Sequence, residues 1–303
     1  MRFTEWNETD SLGLLPTPDA SSHKYSRGVL GLRTGSAAYP GAAVLGAEAA
    51  WRTGIGSVRY IPPIGDRDPE HGLPTPAAAV CAARPETVFA ADTAANRARV
   101  DAWIIGSGTD PSERSFAERS ALVQLLDGAA PVVVDAGALD VVVDRAPKAP
   151  CIVTPHQGEF AEMWRLADLG PQPKDPGEAA AQLAHALGVT VLLKGSVTHV
   201  ASPAGTVFRL GPATPWLATA GTGDVLAGIL GALAAAHARE IVGDAELLAR
   251  IGATSVTLHD QAARIAAHDL HSDSDAVSGP ITALEVAKKL PAARRMLASR
   301  QLD

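Results

Sequence analysis

An α/β fold, with a mainly parallel central sheet and helices on both faces, is what this 303-residue sequence predicts, and three observations carry the prediction. Short β-rich runs alternate with longer Ala/Leu-rich runs along most of the chain, which is the rhythm of strand–helix–strand units. The β-rich runs are almost continuously apolar rather than alternating, as in strands buried on both faces. Gly, Ser, Thr, His, Lys and Asp gather immediately after those runs, where open α/β sheets take their ligands.

Taken in order, a polar, Pro-containing start precedes the first strand at Val29–Arg33. Residues 40–53 (PGAAVLGAEAAWRT) follow as a helix with Pro at its first turn, a position where the missing N–H costs nothing. Further strands are expected at 57–61, 103–105, 132–134, 151–153 and 190–193, separated by helices near 113–126, 159–167 and 178–187. The last third reads as mostly helical, at 222–236, 244–267 and 281–298. Two loops, 62–76 and 170–177, interrupt the pattern without the composition of an inter-domain linker, and no internal repeat is visible. One α/β domain over 1–303, with residues 1–20 as an N-terminal extension, is the expectation.

Composition narrows the function classes. Apolar residues make up 47% and charged residues 19%, with a mean hydropathy of +0.09, which excludes disorder for most of the length. Aromatics are only 4%, so Ala, Val, Leu and Ile must build the core. The net charge of −7 and the lack of any basic block remove the electrostatic footprint of a nucleic-acid or anionic-membrane partner. A local nest of backbone N–H groups still permits phosphate ligands. Cys81 and Cys151 both lie in apolar runs and form no metal or CxxC pattern, so both are expected to be buried, reduced thiols, which fits a cytoplasm. The N-terminus has no signal-peptide h-region, and the most apolar stretch, 226–236, is shorter than the roughly 20 residues a membrane span needs. A soluble, cytoplasmic globular protein is the expectation.

The segment ATAGTGD at 218–224 opens a helix, and its glycines permit close backbone approach to a ligand. The N–H groups of that first turn, with the helix dipole, make residues Gly221, Thr222 and Gly223 an anion site. A carboxylate repels phosphate there unless it has a proton to remove. Asp224 is therefore placed to deprotonate a hydroxyl that attacks a held phosphoryl group. The plainer reading, a first-turn acid beside a glycine turn, stands next to it. Lys194-Gly195-Ser196 ends an apolar strand, which aims a cation at the same region, although a surface lysine before a turn has the same sequence. No Walker glycine precedes it at the required spacing, so a P-loop is excluded. In TPHQGE (154–159), His156 suits a substrate hydrogen bond or acid–base work, and Glu159 suits indirect Mg²⁺ binding through water or a first-turn helix charge. His268-x-x-His271, with His259 upstream, has metal-like spacing but no companion Cys. Gly54-x-Gly56 and Gly106-x-Gly108 lack the third glycine of a dinucleotide fingerprint, and no GxSxG or HExxH is present.

The ordered set His23-Lys24…Arg27-Gly28, Gly35-Ser36…Tyr39-Pro40-Gly41-Ala42, Arg52-Thr53-Gly54-x-Gly56, Gly106-x-Gly108, Asp135-Ala136…Leu139, TPHQGE, LKGS and ATAGTGDVLAGI resembles the ADP/ATP-dependent NAD(P)H-hydrate dehydratases. That branch belongs to the ribokinase-like superfamily, and the resemblance runs from about residue 20 to about 297. It implies a three-layer α/β/α fold and repair of nicotinamide coenzyme hydrated at C6. The reaction is dehydration of the S epimer of NADHX or NADPHX at the expense of ADP (or ATP), with Mg²⁺. It further implies that Ala42, Gly106, Gly108, His156 and Asp224 contact the hydrated dinucleotide, and that Lys194, Gly195, Ser196, Val197, Thr198 and Gly223 hold the adenine nucleotide. A homo-oligomer, often a tetramer, is also implied, and the length leaves no room for the family's frequent N-terminal epimerase domain.

Related kinases resemble TPNxxE where this chain has His156 and Gly158, which favours the dehydratase over a kinase acting on a vitamin precursor or sugar. Thr34 stands where the family usually has Gly, Ser107 where Pro is common, and Gly137 where a second Asp is common. Trp216, just before the anion site, suggests only packing or lining. The alternatives are a ribokinase-like small-molecule kinase that leaves phosphate on its product, and an idle nucleotide-binding protein, against which the intact Asp224 argues.

Overall fold

A computed structural model describes residues 2–244, 246–269 and 278–299. Its ten strands are β1 (Arg2–Glu5), β2 (Val29–Arg33), β3 (Ser57–Tyr60), β4 (Val88–Phe89), β5 (Ala102–Ile105), β6 (Val132–Val134), β7 (Cys151–Val153), β8 (Thr190–Leu193), β9 (Thr198–Ala201) and β10 (Thr206–Leu210). The helices are α1 (Pro40–Thr53), α2 (Pro76–Ala83), α3 (Ala94–Arg97), α4 (Phe116–Leu126), α5 (Leu139–Asp144), α6 (Gln157–Leu166), α7 (Pro176–Leu187), α8 (Thr222–Ala236), α9 (Ala238–Gly243), α10 (Leu247–Ala267) and α11 (Ala283–Ser299). All strands lie in one sheet of order β1-β10-β9-β8-β7-β6-β5-β2-β3-β4. Pairing is parallel throughout except where β9 runs against both β8 and β10.

The three-layer arrangement follows from how the strands divide their side chains. Ala102 and Ile104 of β5 and Val133 of β6 join a core with α1, α8, α10 and α11. Trp103, Ile105, Val132 and Val134 join a second core with α4, α5, α6 and α7. Strands β5 and β6 are thus apolar on both faces, which is why their sequences do not alternate. Helix α8 lies close against α1, because a Cβ at Gly228 would stand 2.7 Å from that of Ala49. This close packing brings the N-terminus of α8 to the carboxyl ends of the central strands.

The sequence-predicted elements match within a few residues, and the exceptions have physical causes. Strand β1 pairs with β10 at the sheet edge and is polar, so it carries no apolar run. The β9–β10 hairpin turns through Pro203 and Gly205, and β10 is only half alternating. Helix α2 begins at a Thr75 cap, whose side chain accepts from the Ala78 N–H, followed by Pro76.

One expectation fails here. Cys151 is buried, but Cys81 is exposed. Helix α2 buries only Pro76 and Val80, so its apolar composition is alanine on a surface helix, and Cys81 falls beside the buried stripe. No helix among the described residues is long and apolar enough to cross a membrane.

Candidate active site

Four neighbouring strands, β5, β6, β7 and β8, end side by side, and Ser107, Thr154 and Lys194 from the ends of β5, β7 and β8 turn toward the carboxylate that follows β6. Asp135, 3% exposed after β6, accepts a hydrogen bond from Ser107 Oγ at 2.9 Å on one oxygen. Its other oxygen accepts from Thr154 Oγ1 at 2.7 Å and from Lys194 Nζ at 3.0 Å. The loop after β8 is tied back to that after β7 by the Lys194 N–H, which donates to the Pro155 carbonyl at 2.9 Å. Lys194 sits within reach of three carboxylates. Burial works against its charge, but Asp135, Glu159 and Asp224 more than offset that, and the ammonium is held above its ordinary value.

The first turn of α8 faces this cluster. Gly221 precedes it with φ +86°, a conformation open to glycine at little cost. The Thr222 hydroxyl donates to the carbonyls of Leu217 and Thr219 at 2.9 Å, closing the preceding turn. A Cβ at Gly223 would stand 3.5 Å from Lys194 Nζ, so the ammonium lies directly off the helix N-terminus. Backbone N–H groups of this first turn, the helix dipole and a cation therefore converge on one small volume, which suits a phosphate. Asp224 is pushed up from 3.8 to about 7, first by burial and then by the charge of Asp135, with Lys194 opposing. A carboxyl group in that range exchanges its proton near neutral pH.

Helix α1 links this region to the crevice between β2 and β5, where the order of connection reverses. Leu45 packs against Gly221 and Gly46 lies near the Asp224 carbonyl. Ala42, one turn earlier, fits against Gly108 so closely that a Cβ there would collide with it. Gly106 lies against the Asp135 carbonyl, which leaves no space for a side chain. The Gly35 N–H donates to the Ser107 carbonyl at 2.7 Å, joining the two loops. Ala42, Gly106 and Gly108 thus form one lobe and Lys194, Gly221, Thr222, Gly223 and Asp224 the other, with Asp135 between them.

His156 caps α6. Its Nδ1 accepts from the N–H groups of Gly158 and Glu159 at 3.0 and 3.2 Å, and the Glu159 carboxylate accepts from the His156 N–H at 2.8 Å. A neutral ring capping in this way carries its proton on the exposed Nε2. Glu159 lies 4.0 Å from Lys194 Nζ, and its Oε1 lies 3.6 Å from His156 Nε2. No group of three or more metal-ligating side chains occurs among the described residues. The donor set suits a hard cation carried on phosphates and touched through water.

Gly195, Ser196 and Val197 form the turn between β8 and β9, and Thr198 opens β9. Behind it lies a cavity of about 250 Å³ lined by Thr198, Gly211, Pro212, Val256, Asp260 and Trp6, among others.

The metal-like histidine set is not assembled. His259 is buried within α10, whereas His268 is its C-cap. Nine residues of helix separate them by about 13 Å, too far to share an ion, and His271 lies outside the described residues. His259 instead underlies the first turn of α8. Burial pushes it down to about 4, so it stays neutral there. Trp216 packs against the core and donates to Ser278 Oγ at 3.0 Å. The Thr34 hydroxyl is buried without a partner among the described residues, and a Cβ at Gly137 would collide with the Thr109 carbonyl.

Asp135 is a site residue that the sequence did not single out. The signal was an acid directly after the all-apolar run Val132–Val134, at the same strand-end position as Lys194.

The chain is similar to known proteins over most of its length. The family model for NAD(P)H-hydrate dehydratase matches residues 30–278. A bifunctional NAD(P)H-hydrate repair enzyme of Mycobacterium tuberculosis is 43% identical over 232 residues, covering 75% of this chain and 45% of that protein. The chain therefore spans about half the length of the mycobacterial relative. An ADP-dependent (S)-NAD(P)H-hydrate dehydratase of Neisseria meningitidis is 34% identical, with 71% of each chain covered. The crystal structure of an ADP/ATP-dependent NAD(P)H-hydrate dehydratase from Bacillus subtilis, co-crystallized with ATP/Mg²⁺, superposes with a TM-score of 0.75 at 27% identity, covering 97% of this chain and 98% of that one. That structural likeness carries the ribokinase-like three-layer fold. With the family match running through both lobes of the strand-end site, the chain belongs to the NAD(P)H-hydrate dehydratase family.

Proposed function

We propose that this chain catalyses ADP-dependent dehydration of the S epimer of NADHX or NADPHX, restoring NADH or NADPH and giving AMP and phosphate. The observation that carries the reading is the partly buried Asp224 carboxyl, raised to about 7 and standing at the helix N-terminus that Lys194 faces. The C6 hydroxyl of the hydrated ring gives its proton to Asp224 while its oxygen attacks the terminal phosphorus of ADP, and the P–O bond to AMP breaks. The ring nitrogen lone pair then expels phosphate from C6, and loss of a C5 proton restores the dihydropyridine. Phosphorylation turns a poor leaving group into a good one. Lys194 and the N–H groups of Gly221 and Gly223, with Thr222 between them, stabilise the charge that moves onto the phosphoryl oxygens.

In this reading Ala42, Gly106, Gly108 and His156 contact the dinucleotide, with the His156 Nε2–H as donor. Gly195, Ser196, Val197 and Thr198 hold the nucleotide, whose base has the cavity behind Thr198 open to it. Mg²⁺, when bound, would neutralise phosphate charge, with Glu159 accepting from its waters. The family likeness extends the proposal to one working domain over 1–303, with 1–20 as an N-terminal extension, to a homo-oligomer of tetrameric order, and to the cytoplasm as the compartment. Sedimentation of the purified chain tests the assembly.

The defining test is absorbance at 340 nm with S-NADHX or S-NADPHX, Mg²⁺ and either ADP or ATP. A nucleotide-dependent rise with phosphate released one for one is expected. Binding of adenine nucleotide without any rise or phosphate release would return the same fold to a kinase role, which the dehydratases among its relatives do not favour.

A further inference from the structure

Asp135 is too buried, at 3% exposure, to meet a substrate, yet three polar side chains converge on it. Ser107, Thr154 and Lys194 come from the ends of β5, β7 and β8, the strands on both sides of β6 and one beyond. Both carboxylate oxygens are engaged. The chain on either side is fixed as well. The Asp135 N–H donates to the Ile105 carbonyl at 3.1 Å, and Ala136 is held at φ +46°, a left-handed conformation costly for a residue with a Cβ. Strain of this kind persists where the surroundings determine the geometry. The Ser107 hydroxyl has this carboxylate as its acceptor.

We infer that Asp135 is a positioning residue for phosphoryl transfer: it aims the Lys194 ammonium at the N-terminus of α8 and holds a fixed negative charge opposite Asp224. The inference deepens the repair-lyase reading and rests on it for its kinetic consequences. The charged groups facing Asp224 are Asp135 from the end of β6 and Lys194 from the end of β8, while His259 on α10 is neutral behind them. Lys194 alone would draw Asp224 toward a weaker base. The Asp135 charge takes up that cation and repels the Asp224 carboxylate, so Asp224 keeps the basicity needed to take a hydroxyl proton. Freed of Asp135, the lysine would bind phosphate at least as well but without a fixed aim.

The test is Asp135→Asn, with folding checked by thermal melting. Expected are a kcat lower by about 10²-fold, a nucleotide KM that does not rise, and an acid limb of the pH profile moved down by about one unit. Ser107→Ala is the second variant, chosen because it deletes one hydroxyl and leaves the carboxylate. It should lower kcat a few-fold alone and have no further effect in the Asp135→Asn background. A folded Asp135→Asn protein with an unmoved acid limb, a raised nucleotide KM with unchanged kcat, or additive effects of the two changes would overturn the inference. Carbon-13 NMR of the Asp224 carboxyl in the unliganded protein reads the same charge without substrate. Its midpoint should fall in Asp135→Asn, and an unmoved midpoint refutes the charge role whether or not the protein acts on NADHX. Failure of wild-type protein on S-NADHX would instead strike the repair-lyase reading.

Discussion

Replacing Asp224 with asparagine should abolish activity and at the same time stabilise the protein, by an amount that depends on pH. The native Asp224 carboxyl titrates at about 7 against 3.8 when unperturbed. Between those values the folded protein keeps a proton that the unfolded chain releases, so stability falls as pH rises through the window and is level above it. Each unit is worth about 1.4 kcal/mol. Wild-type protein therefore carries a cost of about 2 kcal/mol at pH 5 and about 4 kcal/mol at pH 8 for holding this group in place. An asparagine at this position has no charge to desolvate and none for Asp135 to repel, so the Asp224→Asn protein escapes that cost. Urea denaturation at the two pH values should show the variant more stable at both, with the gain larger by about 2–3 kcal/mol at pH 8. Dehydration should drop by at least about 10²-fold, while adenine nucleotide still binds. A variant less stable than wild type at pH 8, or a gain identical at pH 5 and pH 8, would refute the reasoning that this carboxyl is held at a thermodynamic cost.

Glu118→Ala should cost about 3–5 kcal/mol in urea denaturation, because Arg33 is 1% exposed and donates to both Glu118 oxygens, leaving only Asp92 to balance its buried charge. Gly106→Ala should lower stability by about 3 kcal/mol and remove activity. The residue has φ +96°, and a Cβ would meet the Asp135 carbonyl and stand 2.6 Å from the Ala138 Cβ; a variant with the wild-type melting temperature would contradict this. Native protein should react with one equivalent of a disulfide reagent, at Cys81, and with a second only on unfolding. Cys151 is buried and its thiol is raised by desolvation, so two fast equivalents would show that the β7 face is open.

How much of this was legible beforehand depended on which interactions were local. Strands β2, β6, β7 and β8 and helices α1 and α8 stood out because a strand covered on both faces must be apolar along its whole length, and because Pro40 and Gly221 mark helix starts through their own backbone chemistry. The edge strand β1 and the β9–β10 hairpin were missed because their pairing partners, not their side chains, make them strands. Cys81 misled because alanine is as common on a surface helix as in a core. Of the site, the sequence by itself determined the list of chemical groups at the strand ends and, through their joint order, the family. Folding alone brings Ser107, Thr154 and Lys194 together on the Asp135 carboxylate, and lets burial and that negative charge raise Asp224 to about 7. A pKa is set by distances and by excluded water, and both exist only once strands far apart in the chain lie side by side.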